Sequence, residues 1–184
     1  MREVEAKYRL RDREAFRATL EAAGFHLDQT ERHSDRYLRH PSRDFAATDE
    51  ALRMRSVFVH DMGRIELTYK GPRSAGEVKS REEIEIELRQ PDAVLTIFKR
   101  LGFEPVAVVG KTRDVYRSGS QPDLAVTIDQ VESVGDYVEV ERVVCRDADE
   151  AAATEAVLQA AAMLGLDEAD RERRSYLELL LEAS

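Results

Sequence analysis

Charged residues recur at every second position along runs that otherwise read as β-strands, and this alternation constrains the fold more than any other feature. In a strand, residues two apart share a face, spaced about 6–7 Å along the chain. Glu3, Glu5 and Lys7 therefore point one way, opposite Val4 and Ala6. Arg53 joins Arg55, and Lys111 joins Arg113, by the same arithmetic. Lys79, Arg81, Glu83, Glu85 and Glu87 form one row backed by Ile84 and Ile86; Glu139 and Glu141 form another backed by Val138 and Val140. A single such strand is ordinarily the solvated outer face of a half-buried sheet. Here the pattern repeats along the chain, with acids and bases largely on different strands. If the sheet closes with those faces inward, its lumen holds a basic cluster and an acidic cluster. A dry closure would strand unpaired charges at a cost of several kcal/mol each. Such a lumen calls for water, metal and an anionic ligand.

The order of elements supports closure. Arg2–Arg11 reads as a strand, and Asp12 caps a helix running through Ala23, with Phe16 and Leu20 on one face and Gly24 as its stop. Strands follow at His33–Leu38, Ala51–Val59 and Arg64–Lys70, with Met62-Gly63 as the turn between the last two. After a Pro/Ser/Gly loop, Gly71 to Gly76, come a strand at Lys79–Leu88, a helix from Pro91 to Gly102, and strands at Phe103–Val109 and Lys111–Arg117. Leu124–Val131 and Tyr137–Val144 form a closing hairpin across Ser133–Asp136. Asp147–Leu164 is an Ala-rich helix, serving packing or a homodimer contact, and Glu172–Leu181 a short terminal one. Too few helices separate the strands for a parallel sheet, so the expected class is α+β with an antiparallel sheet that curls or closes. Strand, helix, Gly-Phe, strand occurs twice, at Glu3–Phe25 and Glu83–Phe103, suggesting two related halves.

Composition narrows the function classes. A formal net charge of −9 argues against a broad nucleic-acid surface, while leaving room for a local anion site. The single cysteine, Cys145, excludes an internal disulfide and a Cys-rich zinc site. No run is apolar enough to span a bilayer and the N-terminus lacks a signal-peptide core, so the expected setting is cytoplasmic, with no membrane partner. The chain reads as one domain over residues 1–184. His26, His33, His40 and His60 show no metal-ligand spacing and are read as surface or strand positions. Arg171–Arg174 is read as a solvated helix start.

The lumen's chemistry follows from its residue types. Hard cations such as Mg²⁺ or Mn²⁺ take carboxylate oxygens, which Glu3, Glu5, Asp129, Glu139 and Glu141 can offer. Arg and Lys suit phosphate oxygens. Several ordered segments strengthen the case: Glu3-x-Glu5-x-Lys7, Arg53-Met54-Arg55, Leu67 through Pro72, Lys79-x-Arg81-x-Glu83-x-Glu85, Lys111-x-Arg113-x-x-Tyr116, Ile128-Asp129, Gly135 through Glu141, and Ser175-Tyr176-x-x-Leu179-Leu180. This set, spanning nearly the whole chain in order, resembles the CYTH superfamily, the triphosphate tunnel metalloenzymes.

The resemblance implies an eight-stranded antiparallel β-barrel forming a tunnel, with helices packed outside. It also implies triphosphate binding by Lys7, Arg53, Arg55, Lys70, Lys111 and Arg113, aided by Lys79 and Arg81. Metal would be held by Glu3, Glu5, Glu139 and Glu141, with Asp129 a direct ligand or a supporting partner. Glu83 and Glu85 would line the acidic side; Lys7, Glu5 and Glu139 would carry the catalytic roles. Asp35 and Tyr37 lie in a shared stretch and are read as structural. The Gly135–Glu141 segment, the terminal Ser-Tyr-x-x-Leu-Leu and the length are most similar to class IV adenylyl cyclases, which would form cyclic AMP and pyrophosphate from ATP. Hydrolysis of inorganic tripolyphosphate or thiamine triphosphate is the alternative, and a sensor that binds without turnover the rival. P-loop chemistry is disfavoured, since no Gly-x-x-x-x-Gly-Lys-Ser/Thr run occurs.

Overall fold

The computed structural model describes residues 2–60, 62–73, 78–144 and 149–183; the side chain of Lys79 and the whole of Cys145 lie outside the described residues. The strands are β1 (Arg2–Arg9), β2 (His26–Arg39), β3 (Ala51–Val59), β4 (Met62–Lys70), β5 (Lys79–Glu87), β6 (Glu104–Ser118), β7 (Gln121–Val131) and β8 (Gly135–Val144). The helices are α1 (Arg13–Ala22), α2 (Pro91–Arg100), α3 (Glu150–Met163) and α4 (Tyr176–Glu182). All eight strands close into an antiparallel barrel in the order β1-β5-β4-β3-β2-β6-β7-β8. Exchanging each of the first four strands for the strand four later returns the same ring read backwards. The repeated strand–helix–Gly-Phe unit is therefore a twofold relation between interleaved halves, with Gly24 and Gly102 both at positive φ where their helices end.

Alternation places the two kinds of residue on opposite sides of the barrel wall. Val4, Ala6, Tyr8, Val126, Ile128, Val138 and Val140 face outward into one apolar core with Phe16 and Leu20 of α1 and Ala153, Val157 and Ala160 of α3. The alanines of α3 let that helix lie close to β1 and β8, which is why an Ala-rich segment packs here. Asp12 starts α1 as expected by accepting from the Ala15 amide at 3.0 Å. At one end of the barrel, Tyr176 and Leu179 of α4 pack with Tyr37, Val109, Val131 and Tyr137. Among the described residues no helix is long and apolar enough to cross a membrane.

Several boundaries differ from expectation. Met62 and Gly63 belong to β4, because pairing runs on to Val59↔Met62 and the bend falls earlier, at His60 with φ +53°. Gly63 sits beneath the ring of Phe58, whose Cε1 would lie 2.8 Å from any Cβ placed there. Gly110 likewise does not divide two strands: β6 runs unbroken through it, and the Glu132 carboxylate fills the space a Cβ would take. β2 extends well beyond His33–Leu38 because its backbone pairs with β6 from His26 to Arg39. The terminal helix begins at Tyr176 and not at Glu172, since Ser175 and Glu178 form a reciprocal capping box. Arg171–Arg174 is thus extended chain: the Glu172 amide donates to the Lys7 carbonyl at 2.8 Å, and its buried carboxylate pairs with Arg9 and Arg174.

Candidate active site

The lumen contains a cavity of about 180 Å³ lined by charged side chains from seven of the strands. Glu3, Glu5, Lys7, Arg53, Arg55, Lys70, Arg81, Glu83, Glu85, Lys111, Arg113, Glu139 and Glu141 all reach it. Asp129 sits behind the lining, fully buried. Asp35, Tyr37, Ser175 and Tyr176 also line the cavity, though charge alternation assigned them no part.

The bases are held by carboxylates that lie between them. Arg55 forks onto Asp35 at 2.6 and 2.7 Å, and Arg53 approaches the same group at 3.6 Å. Burial works to raise the pKa of Asp35, and the two guanidiniums overcome it, holding it well below the usual carboxylate range. Arg113 forks onto Asp129 at 2.7 and 2.5 Å, Lys111 donates to it at 2.8 Å and the Tyr176 hydroxyl at 2.9 Å. Arg113 also pairs with Glu139. Asp35 and Asp129 therefore act as pillars that hold four cations at fixed places. The signal for Asp35 was in the sequence, because Glu31, His33, Asp35 and Tyr37 share one face of β2 by the period of two.

Open capacity for an anion remains. Arg53 Nε is buried without an acceptor, although the same side chain donates to Thr68 at 3.1 Å. A buried guanidinium N–H left unpaired is costly, and a phosphate oxygen is the partner its geometry suits. On the acidic side, burial and the adjacent Glu3 push both Glu83 and Glu141 up to about 8. Lys70 pairs with Glu83 and lies 3.4 Å from Glu3. Acids forced together retain protons that a divalent cation would displace. Among the described residues no three His, Cys, Asp or Glu side chains already converge as a metal cage. The donor set still fits a hard cation by chemistry, through Glu3, Glu5, Glu139 and Glu141. Asp129 fits poorly as a direct ligand, since Lys111, Arg113 and Tyr176 already occupy its oxygens.

A second polar network lies along β2. His33 is buried in its strand, its Nε2 2.7 Å from Glu31, which also accepts from Gln29 and faces Arg64 at 3.5 Å. Val57 of β3 and Lys111 of β6 stand opposite His33, with Arg55 and Arg113 close enough to repel a charged ring. Burial and these cations lower its pKa to about 4. Burial opposes ionisation of Glu31, yet the His33 hydrogen bond and Arg64 bring it down to about 2. Between pH 4 and the ordinary imidazole value near 6.5, the unfolded chain binds a proton that the folded chain refuses. His33 therefore contributes stability that is complete above about pH 6.5 and is lost as pH falls towards 4; Glu31 extends the loss below about pH 4.5. Urea midpoints should fall from pH 7 to pH 4, and His33→Gln should flatten that fall. An unchanged slope in the variant would exclude His33 as its source.

Comparison with known proteins places this geometry among relatives. The CYTH domain family matches residues 1–176. A Methanocaldococcus jannaschii protein provisionally named an adenylate cyclase is 33% identical over 179 residues, covering 97% of this chain and 98% of that one. The adenylate cyclase CyaB of Aeromonas hydrophila is 30% identical over 179 residues, covering 96% and 87% respectively. Among solved structures, a Pyrococcus horikoshii OT3 protein superposes with a TM-score of 0.89 at 37% identity over 99% of each chain.

Proposed function

The chain belongs to the CYTH domain family, and from that premise we propose that it is a metal-dependent enzyme converting ATP to cyclic AMP and pyrophosphate. The observation that carries a triphosphate substrate is the two-sided lumen. Among the described residues, seven cationic and seven carboxylate side chains meet in one cavity, and their charges are already close to balanced. A triphosphate adds about four negative charges. It needs the cations on one side, and on the other a site where a divalent metal enters with it. An anion sensor would need only the bases.

In this reading Lys7, Arg53, Arg55, Lys70, Lys111 and Arg113 bind the phosphate oxygens, aided by Lys79 and Arg81. Glu3, Glu5, Glu139 and Glu141 would hold Mg²⁺ or Mn²⁺, which when bound neutralises phosphate charge and orients the chain of phosphates. The ribose 3′-hydroxyl attacks the α-phosphorus in line, and the bond to the pyrophosphate oxygen breaks. Its proton passes to the acidic side, where Glu5 and Glu139 flank Lys7, and the basic side receives the charge of the departing pyrophosphate. Asp35 and Asp129 take no part in the step itself; they hold Arg53, Arg55, Lys111 and Arg113 in place on the basic side.

An organic substrate is favoured over bare tripolyphosphate by a neighbouring cavity of about 660 Å³. It shares Tyr37, Lys70, Arg81 and Ser175 with the lumen and adds His40, Phe45, Leu177 and Leu181, a lining suited to an aromatic group at the end of a triphosphate. Triphosphatase activity is the second reading, because the same lumen would serve water attacking a terminal phosphorus. Incubation with ATP, tripolyphosphate and thiamine triphosphate, each with Mg²⁺ or Mn²⁺, separates them. Cyclic AMP with pyrophosphate is expected. Orthophosphate from tripolyphosphate with ATP untouched would remove the cyclase; tight binding without any product would leave a sensor.

A further inference from the structure

Arg73 stands where three separate segments meet at the edge of the cavity of about 660 Å³. Pro72 fixes the backbone just before it, and the Gly71 amide makes a last β4–β5 contact to the Glu82 carbonyl at 2.9 Å. The chain therefore leaves the barrel at Arg73. The Arg73 amide and Nε both donate to Asp49, at 3.3 and 2.5 Å. Its Nη1 donates to the Arg173 carbonyl at 2.7 Å, and Nη2 faces Glu178 at 3.5 Å. Asp49 ends the turn that carries Phe45, with φ at +56°, a conformation Asp tolerates better than most residues. Arg173 and Glu178 lie on either side of Ser175, the cap of α4.

A guanidinium whose three nitrogens all face protein acceptors is committed to the fold, and its planar fork holds those acceptors at fixed spacing. The segments it joins are walls of the cavity: Phe45 and Asp49 on one side, Leu177, Glu178 and Leu181 on the other. Bare tripolyphosphate would occupy the lumen alone. A substrate with an organic group must also fill the space between those walls. Walls fixed before binding lose little further freedom when that group arrives. Resting on the triphosphate reading above, we propose that Arg73 is a positioning residue that sets the width of the organic-group cavity, and so selects a substituted triphosphate over a bare one.

Variants of the full chain test this through a ratio. Arg73→Ala removes the tie, Asp49→Asn weakens it from the opposite side, and Arg73→Lys keeps the charge but loses the fork. Val157→Ala loosens the remote core under α3 and serves as the control for lost stability. Losing charge-assisted hydrogen bonds of this kind corresponds to about tenfold in affinity. Arg73→Ala should raise KM for ATP by about that factor, while the inhibition constant of tripolyphosphate in the same reaction stays within about twofold. Asp49→Asn should move the ratio of the two constants in the same direction, and Arg73→Lys should restore only part of it. The double variant should be no worse than Arg73→Ala, because the two residues share one contact. Val157→Ala should lower the melting temperature and leave the ratio alone. A wild-type ratio in Arg73→Ala, or an equal shift in Val157→Ala, would overturn the proposal. A wild type that forms no cyclic AMP would overturn the cyclase reading alone, because calorimetric titration with ATP and with tripolyphosphate reads the same ratio as affinities.

Discussion

Lys7→Met and Glu5→Gln are each expected to lower metal-dependent turnover at least about a hundredfold, the usual cost of removing one preorganised charge from a phosphoryl-transfer site. Both substitutions keep most of the side chain, which matters because Lys7 is 2% exposed, with its Nζ 5.9 Å from the Tyr137 ring centroid and 4.1 Å from that of Tyr176. A truncation to Ala at either position tests the same role but adds a cavity to the comparison. The two should fail differently. Lys7 stands opposite Glu139 across the β1–β8 pairing, and Glu5 stands opposite Glu141. Loss of Lys7 removes a phosphate contact, so tripolyphosphate affinity without metal should fall. Loss of Glu5 removes a carboxylate from the acidic side, so more Mn²⁺ should be needed to reach half-maximal rate. Melting curves recorded with the kinetics establish that the barrel is intact. Near-wild-type rates on ATP, tripolyphosphate and thiamine triphosphate in either variant would take that residue out of the site.

The alternation rule found the lumen face of each charged strand because a period of two depends only on local geometry. Ala51–Val59 matches its expected bounds at both ends, and Glu83, Glu85, Arg53, Arg55, Lys111 and Arg113 all face inward as their spacing requires. What stayed hidden depends on neighbours remote in sequence. Asp129 is the one carboxylate in an apolar run, and its meaning comes from Arg113 across β6 and from Tyr176 on a distant helix. Tyr176 carries no charge and belongs to no alternating row, so periodicity had no access to it. Gly63 and Gly110 were misread for a common reason. A glycine in an otherwise alternating run suggests a turn, but neither adopts positive φ; each is small because a Phe58 ring or a Glu132 carboxylate lies against it. Space created by a cross-strand side chain leaves no mark in the local sequence. The twofold order of the strands was visible only as two short echoes, since closure is decided by pairings β1–β5 and β2–β6 that join the halves.

Asp129→Asn is expected to be the most destabilising conservative change in the lumen. The carboxylate is fully buried and compensates Lys111 and Arg113 at once, while accepting from Tyr176. Burial and the nearby Arg113 already lower the pKa of Lys111, so removing its anionic partner pushes it further towards the neutral amine. Arg113 has no such escape and would keep only Glu139 and the more distant Glu141. Breaking one side of a buried ion pair costs about 3–5 kcal/mol. For a chain of this size that corresponds to a fall on the order of 10 °C in melting temperature without metal or substrate. A role as direct metal ligand predicts something else: an unchanged melting temperature in metal-free protein and a loss confined to metal affinity. Tripolyphosphate sharpens the distinction, because an anion in the cavity supplies the charge that Asn lacks. Saturating tripolyphosphate should therefore raise the melting temperature of Asp129→Asn by more than it raises that of the wild type. A metal-free variant melting within about 2 °C of the wild type would reject Asp129 as the pillar of the basic side.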